Sequence, residues 1–380
     1  MSKKNKPSTS PKVFGSSVDT SDILNSVSDY TLLSDKSQST LSPNYTEVSE
    51  IEQKFTPKHK KSLSLSDIYN RVGYDKKAVR VRECGSYLEF SHEVDLYGTI
   101  EDKGKLHKAF FCRDRFCPMC SWRKSLKLFA NVSKCMPFIT SKYKCLFLTL
   151  TVPNCTQEDF RNTIDRLMYA WHELSHYKKF KTVVKGFFRV LEVTRNKKNG
   201  SLHPHFHIIL VVSKKYGKKE ELYLSHDDIL SMWKKAYKDD SITQVDIRVI
   251  KPKDTKEISS SSEQLQVKGL ESAIAETCKY TYKDSDLFES GLSPEEQDNL
   301  LLTLANGLKH RRLAHFGGVF KEVYNSLGLE DVEDENTDLT HIDDSINKGV
   351  YLLITKFRWG FGTYRLYDKI LISNSEKEVI

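Results

Sequence analysis

Apolar and polar positions along this chain fall into short runs separated by turn signals. Lys144 to Val152 (KCLFLTLTV) is continuous and rich in Leu, Phe and Thr, which predicts a buried strand. Pro153-Asn154 ends it. Thr156 with Asp159 resembles a capping pair, and Phe160, Ile164, Leu167, Trp171 and Leu174 follow at helical spacing. Phe187 to Thr194 alternates as a strand does, Asn199-Gly200 marks a turn, and His205 to Val212 reads as the returning strand. Ser225 with Asp228 opens a second helix carrying Ile229, Trp233 and Tyr237. Val245 to Ile250 is a further strand, Ser259 to Ser262 lies in a polar, flexible insertion, and a helix runs from about Leu270 to Lys283.

The order β-α-β-β-α-β-α predicts an α+β fold. Its first six elements fit the split βαβ (ferredoxin/RRM-like) antiparallel sheet backed by helices. Helical material near Pro294 to Leu327, an acidic loop from Glu330 to Asp338 and a strand-like end around Tyr351 to Leu366 complete the chain. At the other end, eighteen of the first fifty residues are Ser or Thr with no sustained apolar period, so residues 1–64 are expected to form a disordered tail. The expected divisions are that tail, a cysteine-rich zinc-binding segment over 65–130, a catalytic domain over 131–290, and a C-terminal helical and strand extension over 291–380.

Composition adds three constraints. The formal net charge of +8 is compatible with a polyanionic partner without establishing one. The first residues lack the apolar core of a secretory leader, and no run of about eighteen apolar residues suggests a membrane span; a cytoplasmic location is expected. Thiols then stay reduced, and clustered cysteines point to metal more than to disulfides.

Candidate chemistry lies first on the returning strand. Residues two apart on a strand share a face, so His205 and His207 project together while Phe206 and Ile208 project into the apolar layer. If the hairpin closes around Lys197 to Asn199, Glu192 falls opposite roughly residues 204 to 207. A one-residue slip would turn it away. Two imidazoles and a carboxylate could hold Mg or Mn with positions open for a phosphate. His203 shares the parity but precedes a proline and ranks below the other two. Taken alone, the histidine pair also suits an exposed pair on a half-buried sheet.

The second constellation is Glu276 to Lys283 (ETCKYTYK). At about 100° per residue, Glu276, Lys279, Tyr280 and Lys283 share one helix face and Tyr282 points away. A tyrosyl oxygen can attack phosphorus, a lysine lowers the cost of its deprotonation, and a carboxylate can handle a water proton. A surface helix with charge pairs would give the same pattern, and most of the 18 tyrosines must serve packing.

The third is Cys112-x4-Cys117-x2-Cys120, with Cys84 upstream as a fourth thiolate for a tetrahedral structural zinc. Arg113, Arg115, Arg123 and Lys124 flank it and could contact phosphates. Reduced, packed cysteines are the plainer alternative. Cys135, Cys145, Cys155 and Cys278 read as structural or incidental thiols.

In combination, Phe147 to Thr151, Leu191 to Thr194 leading into His203 to His207, and Glu276 to Tyr280 resemble the HUH endonuclease superfamily. Within it they resemble the Gram-positive rolling-circle plasmid replication initiators with a single catalytic tyrosine. Arg311 to Gly318 is a weaker match. The resemblance covers about Cys84 to Leu329. It implies recognition of a plasmid origin, metal held by His205 and His207 with Glu192, attack by Tyr280 to give a 5′-phosphotyrosyl bond and a 3′-OH primer, and a terminating cleavage in which Glu276 activates water. It also implies a host helicase and polymerase as partners, and a comparable cysteine cluster. Where the family often has a small apolar residue or proline after the tyrosine, this chain has Thr281-Tyr282. Rival readings are a mobilisation relaxase or HUH transposase, an RRM-type RNA binder, and a zinc-dependent DNA-binding regulator. The RNA binder has no use for Glu192, His205, His207 and Tyr280 together.

Overall fold

The computed structural model describes residues 51–94, 100, 104–250, 262–279, 287–288, 291–342 and 351–373. Part of the stretch expected to be a disordered tail is helical. Residues 51–54 are helical, and helix α1 (Thr56–Arg71) buries His59, Ser62, Leu65, Ser66, Ile68 and Tyr69. Several of these buried positions are small or polar, so the buried face carries little apolar signal. Ser62 and Ser66 spend their hydroxyls on Cys117 Sγ and on the Ala78 carbonyl. Residues 1–50 lie outside the described residues.

Helix α2 (Asp75–Arg82) leads into strands β1 (Tyr87–Val94) and β2 (Lys105–Ala109). Helix α3 (Pro118–Lys142) starts directly after Cys117 and runs without interruption across the expected boundary at residue 130 into β3 (Tyr143–Thr151). Then come α4 (Phe160–His176), α5 (Lys178–Val183), β4 (Val184–Arg195), β5 (Leu202–Ser213), α6 (His226–Tyr237), β6 (Val245–Val249) and α7 (Ser262–Thr277). Helices α8 (Pro294–Gly307) and α9 (Val319–Ser326) flank β7 (Ala314–Gly318), and β8 (Tyr351–Gly360) and β9 (Thr363–Ser373) close the chain.

Strands β6-β3-β5-β4-β7 form one antiparallel sheet, so β5 lies between β3 and β4, the two strands that α4 and α5 connect. Alternation along the strands feeds two layers. Leu146, Leu148, Leu150, Phe206, Ile208 and Leu210 pack with Phe160, Ile164, Leu167, Ile229 and Trp233 of α4 and α6. Cys145, Phe188, Val190, Ile209 and Val211 pack on the other side with α3, α7 and α9, through Phe129, Val132, Ile274 and Phe320. The expected capping of α6 is present: Ser225 and Asp228 form a reciprocal capping box. At α4 the Thr156 hydroxyl accepts from the Asp159 N–H at 3.3 Å, half of the expected pair, while the Asp159 side chain makes no cap hydrogen bond.

Strands β2-β1-β8-β9 form a second antiparallel sheet. The expected cysteine-rich segment and the C-terminal end therefore share one sheet. Phe55, Phe90, Trp122, Trp359 and Tyr364 pack in edge contacts beneath it, and the Tyr364 hydroxyl donates to the Gly85 carbonyl at 2.6 Å. The acidic loop is packed on α3, where Lys127 donates to Glu330 and Asn131 to the Glu330 carbonyl.

Candidate metal centre

Strand pairing places Glu192 directly opposite His205, and His207 opposite both Val190 and Thr149. All three expected ligands are buried, at 4 % exposure for Glu192 and 8 % for each histidine. Glu192 Oε2 lies 2.8 Å from His207 Nε2 and 3.3 Å from His205 Nε2, and the two Nε2 atoms are 3.2 Å apart. His205 Nδ1 is 3.1 Å from the His203 carbonyl, a contact it can make only as a donor. In the neutral imidazole that leaves Nε2 as a lone pair facing another ring nitrogen and a carboxylate. Three electron-rich atoms converging on one point favour a cation among them, so this group could hold a metal ion. Burial pushes the Glu192 carboxyl up, but hydrogen bonds and charge from both histidines hold it well below the ordinary carboxylate range.

His203 stands outside this triad. Its ring stacks beside that of His205 at 5.2 Å, and burial with the neighbouring His205 depresses its pKa to about 4. Its role here is through its carbonyl, which orients His205. Two contacts were not anticipated from sequence. The Thr149 hydroxyl lies 3.4 Å from His207 Nδ1, and the Phe147 ring packs 5.7 Å from that imidazole. The Leu-Thr-Leu-Thr alternation of β3 carries the signal, because Phe147, Thr149 and Thr151 share the histidine face.

Helix α7 delivers Glu276 to the same place, with Oε1 4.0 Å from His207 Nε2. Lys279 Nζ contacts the other carboxylate oxygen, Oε2. The helix differs from expectation at both ends. It begins at Ser262, inside the segment read as an insertion, where Glu263, Gln264, Leu265 and Gln266 all favour helix. It ends at Thr277, whose hydroxyl turns back to the Ala273 carbonyl. The helix-face argument therefore reaches no further than Thr277, and Lys279 lies in the bend beyond it. Tyr280, Tyr282 and Lys283 lie outside the described residues.

The four expected thiols converge as well. Cys84, Cys112, Cys117 and Cys120 are all at most 1 % exposed. Sγ–Sγ separations are 3.5 Å for Cys84–Cys120 and Cys84–Cys117 and 3.7 Å for Cys112–Cys120, far longer than a disulfide bond. Amides of Cys112 and Arg113 point at Cys84 and Cys120 sulfurs at 3.4 and 3.2 Å, and Arg113 adopts a left-handed φ of 60° there. Such N–H donors stabilise thiolates, so this group too could hold a metal. Despite burial, hydrogen bonds from the other thiols and Ser62 hold Cys117 well below its ordinary pKa. His59 was missed because it sits in the stretch read as tail; it lies 2.8 Å through Nδ1 from the Cys84 carbonyl.

Of the flanking cations, Arg113 is exposed, Arg115 is partly buried, and Arg123 and Lys124 are buried. Arg123 is 1 % exposed and donates to the Leu339 and Thr340 carbonyls, while Lys124 is 7 % exposed. Arg115 donates to the Leu308 and Arg311 carbonyls, and Arg113 to that of Glu335. Three of the four thus satisfy carbonyls of the 308–340 segment, and Lys124 is buried rather than presented to a phosphate. Cys135, Cys145, Cys155 and Cys278 are buried, and burial raises each thiol, to about 12 for Cys135 and Cys145.

Comparison with known proteins bears on this geometry. Residues 103–365 match the family model described as "Replication protein". A protein named "Protein rep" from Bacillus amyloliquefaciens is 35 % identical over 307 residues, covering 78 % of this chain and 87 % of the relative. Another from Bacillus sp is 37 % identical over 266 residues, covering 69 % and 84 %. A third, from Streptococcus pneumoniae serotype 2 (strain D39 / NCTC 7466), is 34 % identical over 298 residues, covering 77 % and 85 %. No solved structure matches. No helix among the described residues is long and apolar enough to cross a membrane.

Proposed function

This chain belongs to the replication-protein family, whose members initiate plasmid replication, and on that premise we propose that it starts rolling-circle replication by nicking one origin strand with Tyr280. The observation that carries the reading is the buried convergence of Glu192, His205 and His207, with Glu276 4.0 Å from His207. A purely structural sheet has no reason to bury a carboxylate between two imidazoles and bring a second carboxylate to its edge. The order of the first four strands of the main sheet, β6-β3-β5-β4, supports the split βαβ reading.

Oxygen and imidazole donors suit Mg or Mn, which when bound would withdraw charge from a scissile phosphate. The chain's own residues do the rest. The Tyr280 phenolate attacks phosphorus, forming a 5′-phosphotyrosyl bond as the phosphorus–O3′ bond breaks. The departing oxygen takes a proton and becomes the 3′-OH primer. Lys279, held against Glu276, keeps positive charge beside the residue that follows it in the chain and favours the phenolate. In the terminating cleavage Glu276 accepts a proton from water. The family premise extends the reading to origin DNA, and to host helicase and polymerase as partners. The relaxase and transposase alternatives share this chemistry and are separated from it by the replication-protein family.

We assign zinc to the four thiolates. Tetrahedral Zn–S bonds of about 2.3 Å imply sulfurs about 3.8 Å apart, close to the separations here. The ion would join the turn between α2 and β1, the loop after β2 and the start of α3, so its role is structural.

The test is incubation of the protein with labelled single-stranded origin DNA and Mn or Mg, followed by denaturing electrophoresis. An SDS-resistant adduct supports the reading. Its absence on every origin strand tested defeats it.

A further inference from the structure

The second sheet takes no part in that chemistry. Its inner face, with Leu88, Phe357 and Tyr364, is buried. Its outer face carries a row across three strands: Tyr87 pairs with Arg358, and Arg358 pairs with Arg365. Two arginines are thus direct cross-strand partners on β8 and β9, both exposed. Neither forms an ion pair among the described residues, and the nearby Asp368 is taken by Lys356 at 3.0 Å. Like charges directly opposite destabilise a ladder.

Rings accompany the charges. A register shift between Lys356 and Phe357 puts Tyr367 on the same face, with its ring 6.2 Å from that of Tyr87 and the Arg358 guanidinium 4.8 Å above it. At the β8–β9 turn Phe361 is 91 % exposed, adopts a φ of 54°, and lies 4.5 Å from the Arg365 guanidinium. A left-handed, fully exposed phenylalanine is uncommon and marks a residue presented outward.

We propose that this face is a single-stranded DNA platform, with a backbone phosphate between Arg358 and Arg365 and bases stacked on Tyr367, Tyr87 and Phe361. The phosphate removes the repulsion between the two arginines. Stacking on the exposed Phe361 and Tyr367 and the half-buried Tyr87 needs unpaired bases, which a duplex withholds, and a four-stranded face is wider than the two-stranded ribbon that a major groove admits. The proposal rests on the reading that DNA is the partner. It is independent of the metal centre.

The test uses the full chain in EDTA with fluorescein-labelled oligo(dT) of about 20 nucleotides, read by anisotropy over a salt series. Phe361→Ala should weaken binding about fivefold or more. Arg358→Ala combined with Arg365→Ala should reduce the slope of log K against log salt by about 0.7, the value for one phosphate on a single strand. The corresponding double lysine variant should retain the slope, and thermal melting should show all variants folded. If the variants bind oligo(dT) as wild type does, the platform is overturned. It is equally overturned if they lose only binding to a 20-base-pair duplex, or if they lose only co-purification with a protein partner. Loss of the covalent adduct in wild type, with this binding pattern intact, would remove the nicking reading and leave the platform standing.

Discussion

Glu192 and His205 are direct partners across the β4–β5 ladder, with Oε2 and Nε2 3.3 Å apart. Because side chains alternate, that register alone decides whether the carboxylate joins the histidines or turns into the layer packed by α4 and α6. The pairing predicts a metal-linked stability. Wild type should melt at higher temperature as Mn is added, by the amount that preferential binding to the folded chain dictates. Glu192→Gln and His207→Ala should each weaken Mn binding tenfold or more, on the order of the losses seen when ligand spheres are damaged. Calorimetric titration checks this; unchanged Mn affinity in both variants would remove the triad as a metal site.

The thiol cluster gives a separable expectation. Protein purified without added metal should contain one zinc per chain by elemental analysis, and Cys117→Ser should lose it with a lowered melting temperature. Cys135, Cys145, Cys155 and Cys278 are buried with raised pKa, so a thiol reagent should leave them unmodified until the chain unfolds. A Cys117→Ser protein with full zinc content would contradict the assignment.

His315 predicts an acid-side loss of stability. Burial, then the positive charges of Arg189, Arg312 and Lys321, depress its pKa from 6.5 to about 4, with Asp331 acting in the opposite direction. Between these values the unfolded chain binds more protons at this site than the folded one. Stability at His315 is therefore intact above about pH 6.5 and falls as pH drops toward 4. Replacing it in His315→Gln should flatten that part of the melting-temperature profile. An unchanged acid-side slope in the variant would rule His315 out as its source.

Gly318 has φ 55° and ψ −141°, and a Cβ there would approach the Lys185 carbonyl oxygen to 2.3 Å. Gly318→Ala should cost about 1–3 kcal/mol in urea unfolding. Gly328, with φ 62° and open space around it, is the control, and Gly328→Ala should cost less. Equal losses would show that the crowded approach between β7 and β4 is not what the glycine serves.

Much of this was legible in the chain because it depends on period. The strand runs, the helical spacing from Phe160 to Leu174, and the parity of His205 and His207 are local, and the structure reproduces them. What escaped reading depends on partners far away in sequence. Helix α1 buries serines and a histidine against the cysteine cluster, 25 to 55 residues distant, so no apolar period announces it. Arg115 and Arg123 resemble phosphate ligands until the carbonyls of residues 308–340, about two hundred positions away, arrive to accept them. Helix α7 ends at Thr277, with Thr277 and Cys278 at 0 % exposure, whereas the charge pattern alone would continue the helix to Lys283.

In the proposed reaction Tyr280 becomes joined to DNA at a centre built by Glu192, His205 and His207. Its most direct measurement is peptide mapping by mass spectrometry of the adduct formed with labelled single-stranded origin DNA and Mn. The account predicts a nucleotide-bearing peptide containing Tyr280, and no adduct from Tyr280→Phe or from His205→Ala combined with His207→Ala. A modified peptide centred on Tyr282, or a full-yield adduct from Tyr280→Phe, would contradict it.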